Sequence, residues 1–216
     1  MTAKKKMLIL SVIFLFLMCA CLALGWQGLE RVYNAQKEAK VAFTLHKDLQ
    51  DLMISYEHIV MVVHDYIILG DQEEKQTYKI KYDDLLAKKE NIKGLIDQEK
   101  RKQCKEFQVT LREIENSFPD MEKEILQFEN TVNEIFSIDE PFGHPEVGAL
   151  MKEMDSIAKK IVTQLESETL QLRELFEHAL MESHKNHLFI NIALIVLGLI
   201  SFVIGFIVSQ YMIKVL

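Results

Sequence analysis

The chain has 216 residues and a formal net charge of −7, and 49% of its residues are hydrophobic while 26% are charged. Only three prolines and eight glycines occur, a scarcity that favours long helices and leaves little of the turn chemistry that a sheet needs. Nucleic-acid binding requires a basic surface, so for this acidic chain we expect no nucleic-acid partner.

The first predicted element is a membrane-spanning helix over residues 7–25. The run Met7–Leu24 is apolar and uncharged, and roughly 20 apolar residues are enough for a helix to cross a bilayer. Lysines at 4–6 precede the run, and by the positive-inside rule they place residues 1–6 in the cytoplasm. The basic start and apolar core also fit a cleaved signal peptide, so cleavage of this helix stays an alternative.

Residues 26–187 form the predicted extracytoplasmic domain, and they contain all 32 acidic residues of the chain. Apolar residues in its first helix recur at alternating spacings of three and four, a seam of the heptad type. No breaker separates this helix from the first span, so we predict that it continues outward to Gly70. The predicted seam consists of Val32, Ala35, Ala39, Ala42, His46, Leu49, Met53, Tyr56, Val60, Val63 and Ile67. A flanking set widens the stripe: Leu45, Leu52, Ile59 and Tyr66.

Gly70 and Asp71 are typical of a helix stop followed by an N-cap. The second predicted helix is marked by Tyr78, Tyr82, Leu85, Ile92 and Ile96. The third keeps its heptad phase through Pro119, with apolar positions at Cys104, Phe107, Leu111, Ile114, Phe118, Met121, Ile125, Phe128, Val132 and Ile135. Phase continuity favours a turn at 97–103 and a kinked third helix, whereas the proline itself favours a turn at 116–119.

A loop at Asp139–Gly148 holds the other two prolines. The fourth predicted helix starts after it and runs without a breaker into a second span over residues 188–213. Lys214 follows that span, so residues 214–216 are predicted to begin a cytoplasmic segment of an inner-membrane protein. The fold class is therefore all-α: an up-down-up-down four-helix bundle whose first and last helices continue into two transmembrane helices.

Aromatic and imidazole side chains concentrate near the first hairpin and mark a candidate ligand site. Apolar walls with a few polar tips are typical of small-molecule pockets. The predicted ligand-binding residues are Tyr56, His58, His64, Tyr66, Tyr78 and Tyr82. The alternative is ordinary bundle packing in which the tyrosine hydroxyls reach water.

The motifs of enzymes and metal sites are absent from the sequence. There is no HExxH, CxxC or CxxCH pattern, and no nucleophile–base pair or glycine-rich phosphate loop. We therefore expect no catalytic activity within these residues and no cofactor. Bundle cores do host haem and metals in other proteins, and that alternative is not favoured here.

Small residues repeat every four positions in the second span, at Ser201, Gly205 and Ser209. Such a face lets another helix approach closely, and its partner is then either the first span or the same helix of a second copy. The alternative is that small residues are simply common in membrane helices. We expect a homodimer in the membrane lipid, because bundles of this kind can place seam residues against a second copy.

The segment from His64 to Asp71 resembles the Arg-Gly-Tyr-Leu-Leu-Thr-Gly-Asp signature of one CHASE-type extracellular sensor. It is also similar to the matching stretch in four-helix-bundle sensor regions of methyl-accepting chemotaxis proteins and sensor histidine kinases. Tyr66, Gly70 and Asp71 match. His64 stands where that signature has arginine, so an anion-binding role of the arginine is not carried over. The order of span, long helix, Gly-Asp turn, shorter helices, long helix and span extends the resemblance over nearly the whole chain.

The resemblance implies a transmembrane sensor that binds a small ligand or a periplasmic binding protein and transmits a helix displacement across the membrane. In such sensors a HAMP linker and a signalling or kinase domain follow the second span, so any catalytic output would lie beyond Leu216. The alternative is a membrane-anchored helical scaffold without sensory output.

Overall fold

A computed structural model describes residues 3–99 and 105–215. Within these ranges the chain forms four helices and no strand: α1 (Ala3–Leu69), α2 (Gln72–Glu99), α3 (Lys105–Phe136) and α4 (Val147–Val215). The all-helical prediction is confirmed. Two of the helices, α1 and α4, are long and apolar enough to cross a membrane, judged by length and composition.

The chain divides into two compact units, and Lys40–Phe176 forms the second of them. Parts of all four helices surround its apolar core. The ring of Tyr56 on α1 lies 4.9 Å from that of Phe128 on α3. Contacts between α1 and α4 join His46 to Thr169 and His64 to Asp155. Side chains from every helix of this unit therefore share one interior.

The core face of α1 contains most of the predicted seam and all of the predicted flanking residues. The supposedly flanking residues Leu45, Leu52, Ile59 and Tyr66 are all at most 2% exposed. His46, Met53 and Val60, which were predicted in the seam, are only half-buried. Ala42, Leu49, Tyr56 and Val63 belong to both descriptions and are buried. The series that contains Leu45 and the series that contains His46 both repeat every seven residues beside the series of Ala42 and Leu49. Spacing alone therefore does not show which of the two is buried.

The turn between α1 and α2 has the predicted chemistry. Gly70 has a φ of 68°, a left-handed conformation that a residue without Cβ adopts at little cost. Its amide N–H donates to the carbonyl of Tyr66 at 2.8 Å. The carboxylate of Asp71 accepts from the amide of Glu73 at 2.9 Å and caps α2. Stop and cap together end α1 and begin α2 with only Gly70 and Asp71 between the two helices.

Helix α3 continues through Pro119, so the alternative turn at 116–119 is wrong. Helix α2 extends to Glu99, so residues 97–99 of the preferred turn at 97–103 are helical. Residues 100–104, including Cys104, lie outside the described residues. The loop before α4 ends two residues earlier than predicted, because Val147 and Gly148 are already helical.

The other unit comprises Met1–Ala39 and Glu177–Leu216. Small residues on α1 face α4 here, and a Cβ placed on Gly28 would overlap the side chain of Ile190. Most large apolar side chains of this unit are exposed: Phe16, Phe189 and Phe202 are 73%, 69% and 72% exposed. Contiguous apolar surface of this kind is unfavourable in water and marks an interaction or membrane surface.

Candidate functional site

The four predicted tyrosines come together with two phenylalanines in the part of the core next to the Gly70 turn. Tyr56, Tyr66, Tyr78 and Tyr82 are all buried. Tyr78 stacks on Tyr82 at 5.5 Å, and the edge of Phe136 meets both Tyr66 and Tyr78 at 4.8 and 5.1 Å. We call these four tyrosines with Phe128 and Phe136 the aromatic cluster. It joins α1, α2 and α3.

Two hydroxyls of the aromatic cluster have partners. Tyr66 donates to the carbonyl of Ile138 in the loop before α4, at 2.9 Å. Tyr82 donates to a carboxylate oxygen of Glu129 on α3, also at 2.9 Å. Both bonds fix the position of a ring against a neighbouring element, so these tyrosines contribute to the rigidity of the site.

The hydroxyls of Tyr56 and Tyr78 are buried and have no hydrogen-bond partner. The alternative expectation that the tyrosine hydroxyls reach water is therefore wrong for these two. Burial, with neighbouring phenols and carboxylates as smaller causes, raises the pKa of Tyr56, Tyr78 and Tyr82 far above the ordinary value for a phenol. All three rings are neutral, and two of the hydroxyls are buried donors without a partner.

The two predicted histidines lie in different surroundings. His64 is half-buried, and its Nε2 lies 3.0 Å from the Asp155 carboxylate, which connects α1 to α4. His58 is exposed and is thus the predicted site residue with the least support from packing. Asp155 has no special position in the sequence, and only the folded chain identifies it as the partner of His64.

Lys75 also belongs to this region, although sequence reasoning did not select it. Its ammonium lies 4.8 Å from the centroid of the Tyr66 ring and 5.8 Å from that of Phe136. It donates to the carbonyl of Phe136, the last residue of α3. A cation on an aromatic face and at a helix C-terminus is favourable on both counts. The sequence signal was a lysine one turn before Tyr78.

Two small clefts open between α1 and α2, away from the aromatic cluster. One, of about 160 Å³, is lined by Asp48, Asp51, Lys88, Asn91 and Ile92. Burial, followed by the nearby Asp51, raises the pKa of Asp48, while Lys88 bonds to Asp84 at 2.7 Å and to Ser55 at 2.8 Å. The second cleft, of similar volume, is lined by Lys40, Val41, Thr44, Leu45, Leu95 and Glu99. Each cleft has room for only a few atoms.

A polar group occupies the core where α3 meets α4. Glu168 is 4% exposed, and its carboxyl meets the hydroxyl of Ser117. Gln164 donates to the carbonyl of Ser117 at 3.1 Å. Sequence reasoning missed Glu168. The available signal was its place in the column of Met154, Ile161 and Leu175, whose other members are apolar.

The small residues of the second span are placed unequally. Ser201 is half-buried, whereas Gly205 and Ser209 are exposed. No heavy atom lies within 4 Å of a Cβ placed on Gly205. The first span of the same chain therefore leaves this face largely uncovered, while Gly25 and Gly28 make the close approach to α4.

Among the described residues, no three His, Cys, Asp or Glu side chains gather in a way that would hold a metal ion. No protein-family model, curated protein or solved structure matches the chain. The resemblance to bundle sensors thus stays a prediction that rests on residues 64–71 and on the order of the elements.

Proposed function

We propose that the chain is the transmembrane signal-sensing region of a chemoreceptor or sensor kinase in a bacterial inner membrane. Residues 26–187 form its extracytoplasmic bundle, and both termini lie in the cytoplasm. A ligand or a binding protein changes the packing of the bundle, and the resulting helix displacement crosses the membrane.

An up-down-up-down arrangement is supported by the pairing of contacts. From His46 to His64 along α1, the partners on α4 run backwards, from Thr169 to Asp155. Between α2 and α3, Tyr82 meets Glu129 and Lys89 meets Glu122. Neighbouring helices with opposed numbering are antiparallel, as a four-helix bundle with short connections requires.

The observation that carries the proposal is that α1 and α4 each combine two different stretches in one helix. Each contains a stretch apolar enough to cross a membrane and a stretch whose side chains are buried in the bundle core. A shift of about 1–2 Å between packed helices is typical of signalling transitions. Packed cores do not deform continuously, so such a shift occurs between discrete arrangements.

The aromatic cluster is the proposed site at which a ligand acts. Its unpaired hydroxyls on Tyr56 and Tyr78 offer hydrogen bonds to a polar group. The His64–Asp155 contact nearby connects the two helices that continue into the membrane. A ligand that binds one packing of these helices more tightly than the other shifts their equilibrium.

The test joins residue 216 to the cytoplasmic part of a characterised sensor kinase and measures basal kinase output. Alanines are inserted after Lys185, which is exposed on α4. Each residue rotates the following helix by about 100°. Insertions of one to four alanines are expected to raise and lower output with helical phase, and seven are expected to restore the parent value. A Gly-Gly insertion, which weakens the rod, serves as the control.

If basal kinase output is the same for all these insertions, mechanical transmission is contradicted. That result would favour the second candidate, a membrane-anchored helical scaffold. Exposure of Gly205 and Ser209 supports a homodimer under either function, because this face is uncovered within one chain.

A further inference from the structure

Glu168 fills a core position of α4. Residues seven positions apart lie on the same face of a helix. The two that precede Glu168 in this series, Met154 and Ile161, are 0% and 1% exposed. Glu168 is itself only 4% exposed. An ionised carboxylate is strongly disfavoured in such a place unless a cation or several donors compensate it.

The partners of the Glu168 carboxyl are all uncharged. Oε1 meets the Ser117 hydroxyl and lies 3.4 Å from the amide nitrogen of Gln164. Oε2 is buried and has no partner. The surroundings thus provide a hydroxyl and one long amide contact, which is too little to stabilise a full negative charge.

The hydrogen count at Ser117 indicates where the proton lies. Its hydroxyl oxygen is 2.6 Å from the carbonyl of Ile114, and a carbonyl can only accept. A serine hydroxyl carries one hydrogen. When Ser117 donates that hydrogen to Ile114, the contact between Ser117 and Glu168 needs a second hydrogen, which a protonated Glu168 supplies.

We propose that Glu168 binds a proton in the packed bundle and that this makes the α3–α4 contact a pH-responsive element. The neutral carboxyl bonds to Ser117 and keeps α4 against α3. Loss of the proton leaves a charge in the core and loosens the two helices at this level. The proposal goes beyond ligand sensing, because the proton acts at a site separate from the aromatic cluster.

Several titratable groups of the other helices have partners other than Glu168. His46 on α1 faces α4 through its Nδ1, 3.1 Å from the carbonyl of Thr169. Lys89 and Lys93 on α2 both bond to Glu122 of α3. Asp120 of α3 is exposed and lies 3.8 Å from Lys123. Glu115 on α3 and Glu166 on α4 are the nearest further carboxylates along the chain.

Burial raises the pKa of Glu168 above its ordinary value of 4.5, and the hydrogen bonds that Ser117 and Gln164 donate to the ionised form oppose the rise only in part. A carboxyl with a raised pKa in the folded state contributes its full stability below the ordinary value. That contribution is lost as the pH rises through the raised pKa. Each pH unit in this window lowers the folding equilibrium constant about tenfold.

The experiment compares the full chain in lipid nanodiscs with its Glu168→Gln variant by thermal unfolding over a pH series. The carboxamide keeps a donor for Ser117 and does not titrate. We expect the Tm of the wild type to fall with rising pH relative to that of the variant. Glu166→Gln removes the same charge from an exposed position of α4 and is expected to keep the wild-type fall.

Infrared spectroscopy at about pH 6, where exposed glutamates are ionised, tests the proton directly and does not depend on the unfolding of a variant. We expect a protonated-carboxyl carbonyl band in the wild type and in Glu166→Gln, and its absence in Glu168→Gln. Parallel Tm curves for all three proteins, without such a band, would overturn the proposal. Neither the unfolding series nor the infrared spectrum needs a ligand or an output domain. Either result therefore leaves the proposed sensory function to be tested on its own.

Discussion

At the scale of single residues, the aromatic cluster combines two satisfied and two unsatisfied hydroxyls. Tyr66 and Tyr82 donate to Ile138 and Glu129, whereas Tyr56 and Tyr78 have no partner. A buried hydroxyl without a partner costs about 1–3 kcal/mol, while a typical hydrogen bond contributes a net 0.5–1.5 kcal/mol or so. The two kinds of tyrosine should therefore respond oppositely to loss of the hydroxyl.

Replacing Tyr56 with phenylalanine is expected to leave the free energy of unfolding unchanged or to raise it by about 1 kcal/mol, because an unsatisfied donor is removed. Tyr66→Phe, the matched control, should lower that free energy by about 1 kcal/mol, because the Ile138 carbonyl loses its donor. Chemical denaturation of the full chain in detergent, followed by circular dichroism, measures both changes. If Tyr56→Phe lowers the free energy of unfolding more than Tyr66→Phe does, the Tyr56 hydroxyl has a hydrogen-bond partner in solution, for example a bound ligand.

The sequence predicted that these tyrosines lie close to the first hairpin, because apolar periodicity and a Gly-Asp turn fix which helix faces meet. It did not predict which hydroxyls find partners, since Ile138 and Glu129 come from distant parts of the chain. Glu168 and Lys89 were missed for a related reason. Periodicity is judged from apolar residues, so a charged residue that continues a buried column goes unnoticed.

At the scale of elements, the turn between α1 and α2 depends on one capping oxygen. Asp71→Ala removes the acceptor for the Glu73 amide and is expected to lower the free energy of unfolding by about 0.5–2 kcal/mol. Asp71→Asn keeps a side-chain oxygen at the same place and should lose less. Urea denaturation of the three proteins checks the order, and equal stability of wild type and Asp71→Ala would show that the cap contributes nothing.

The helix boundaries were predictable where local chemistry determines them, and the half-burial of His46, Met53 and Val60 on α1 was not. Heptad phase correctly predicted that α3 continues through Pro119, because a helix that continues past a proline keeps its apolar stripe. On α1, the columns containing Leu45 and His46 are adjacent and have the same period. Which of them is buried depends on the side chains of the other helices, and that information is not contained in the spacing of α1.

At the scale of the whole molecule, both apolar runs belong to one of the two units, the one that comprises Met1–Ala39 and Glu177–Leu216. The acidic residues lie outside the two apolar runs, and the unit that contains those runs exposes most of its large apolar side chains. A membrane is the environment in which such exposure is favourable. The orientation that we propose for the two candidate spans rests on the lysines at 4–6 and at 214, through the positive-inside rule.

The orientation is tested by cysteine labelling in a variant without native cysteines. Lys47→Cys and Lys159→Cys lie at exposed positions of the bundle and are expected to react with a membrane-impermeant maleimide in intact bacteria whose outer membrane is permeable. Thr2→Cys is the matched control, which should react only after the inner membrane is disrupted. The opposite pattern would place the acidic bundle in the cytoplasm and end the proposal of an external sensor. Intact-mass measurement of the purified Thr2→Cys protein also decides whether the first span is retained, because cleavage would remove the label together with residues 1–25.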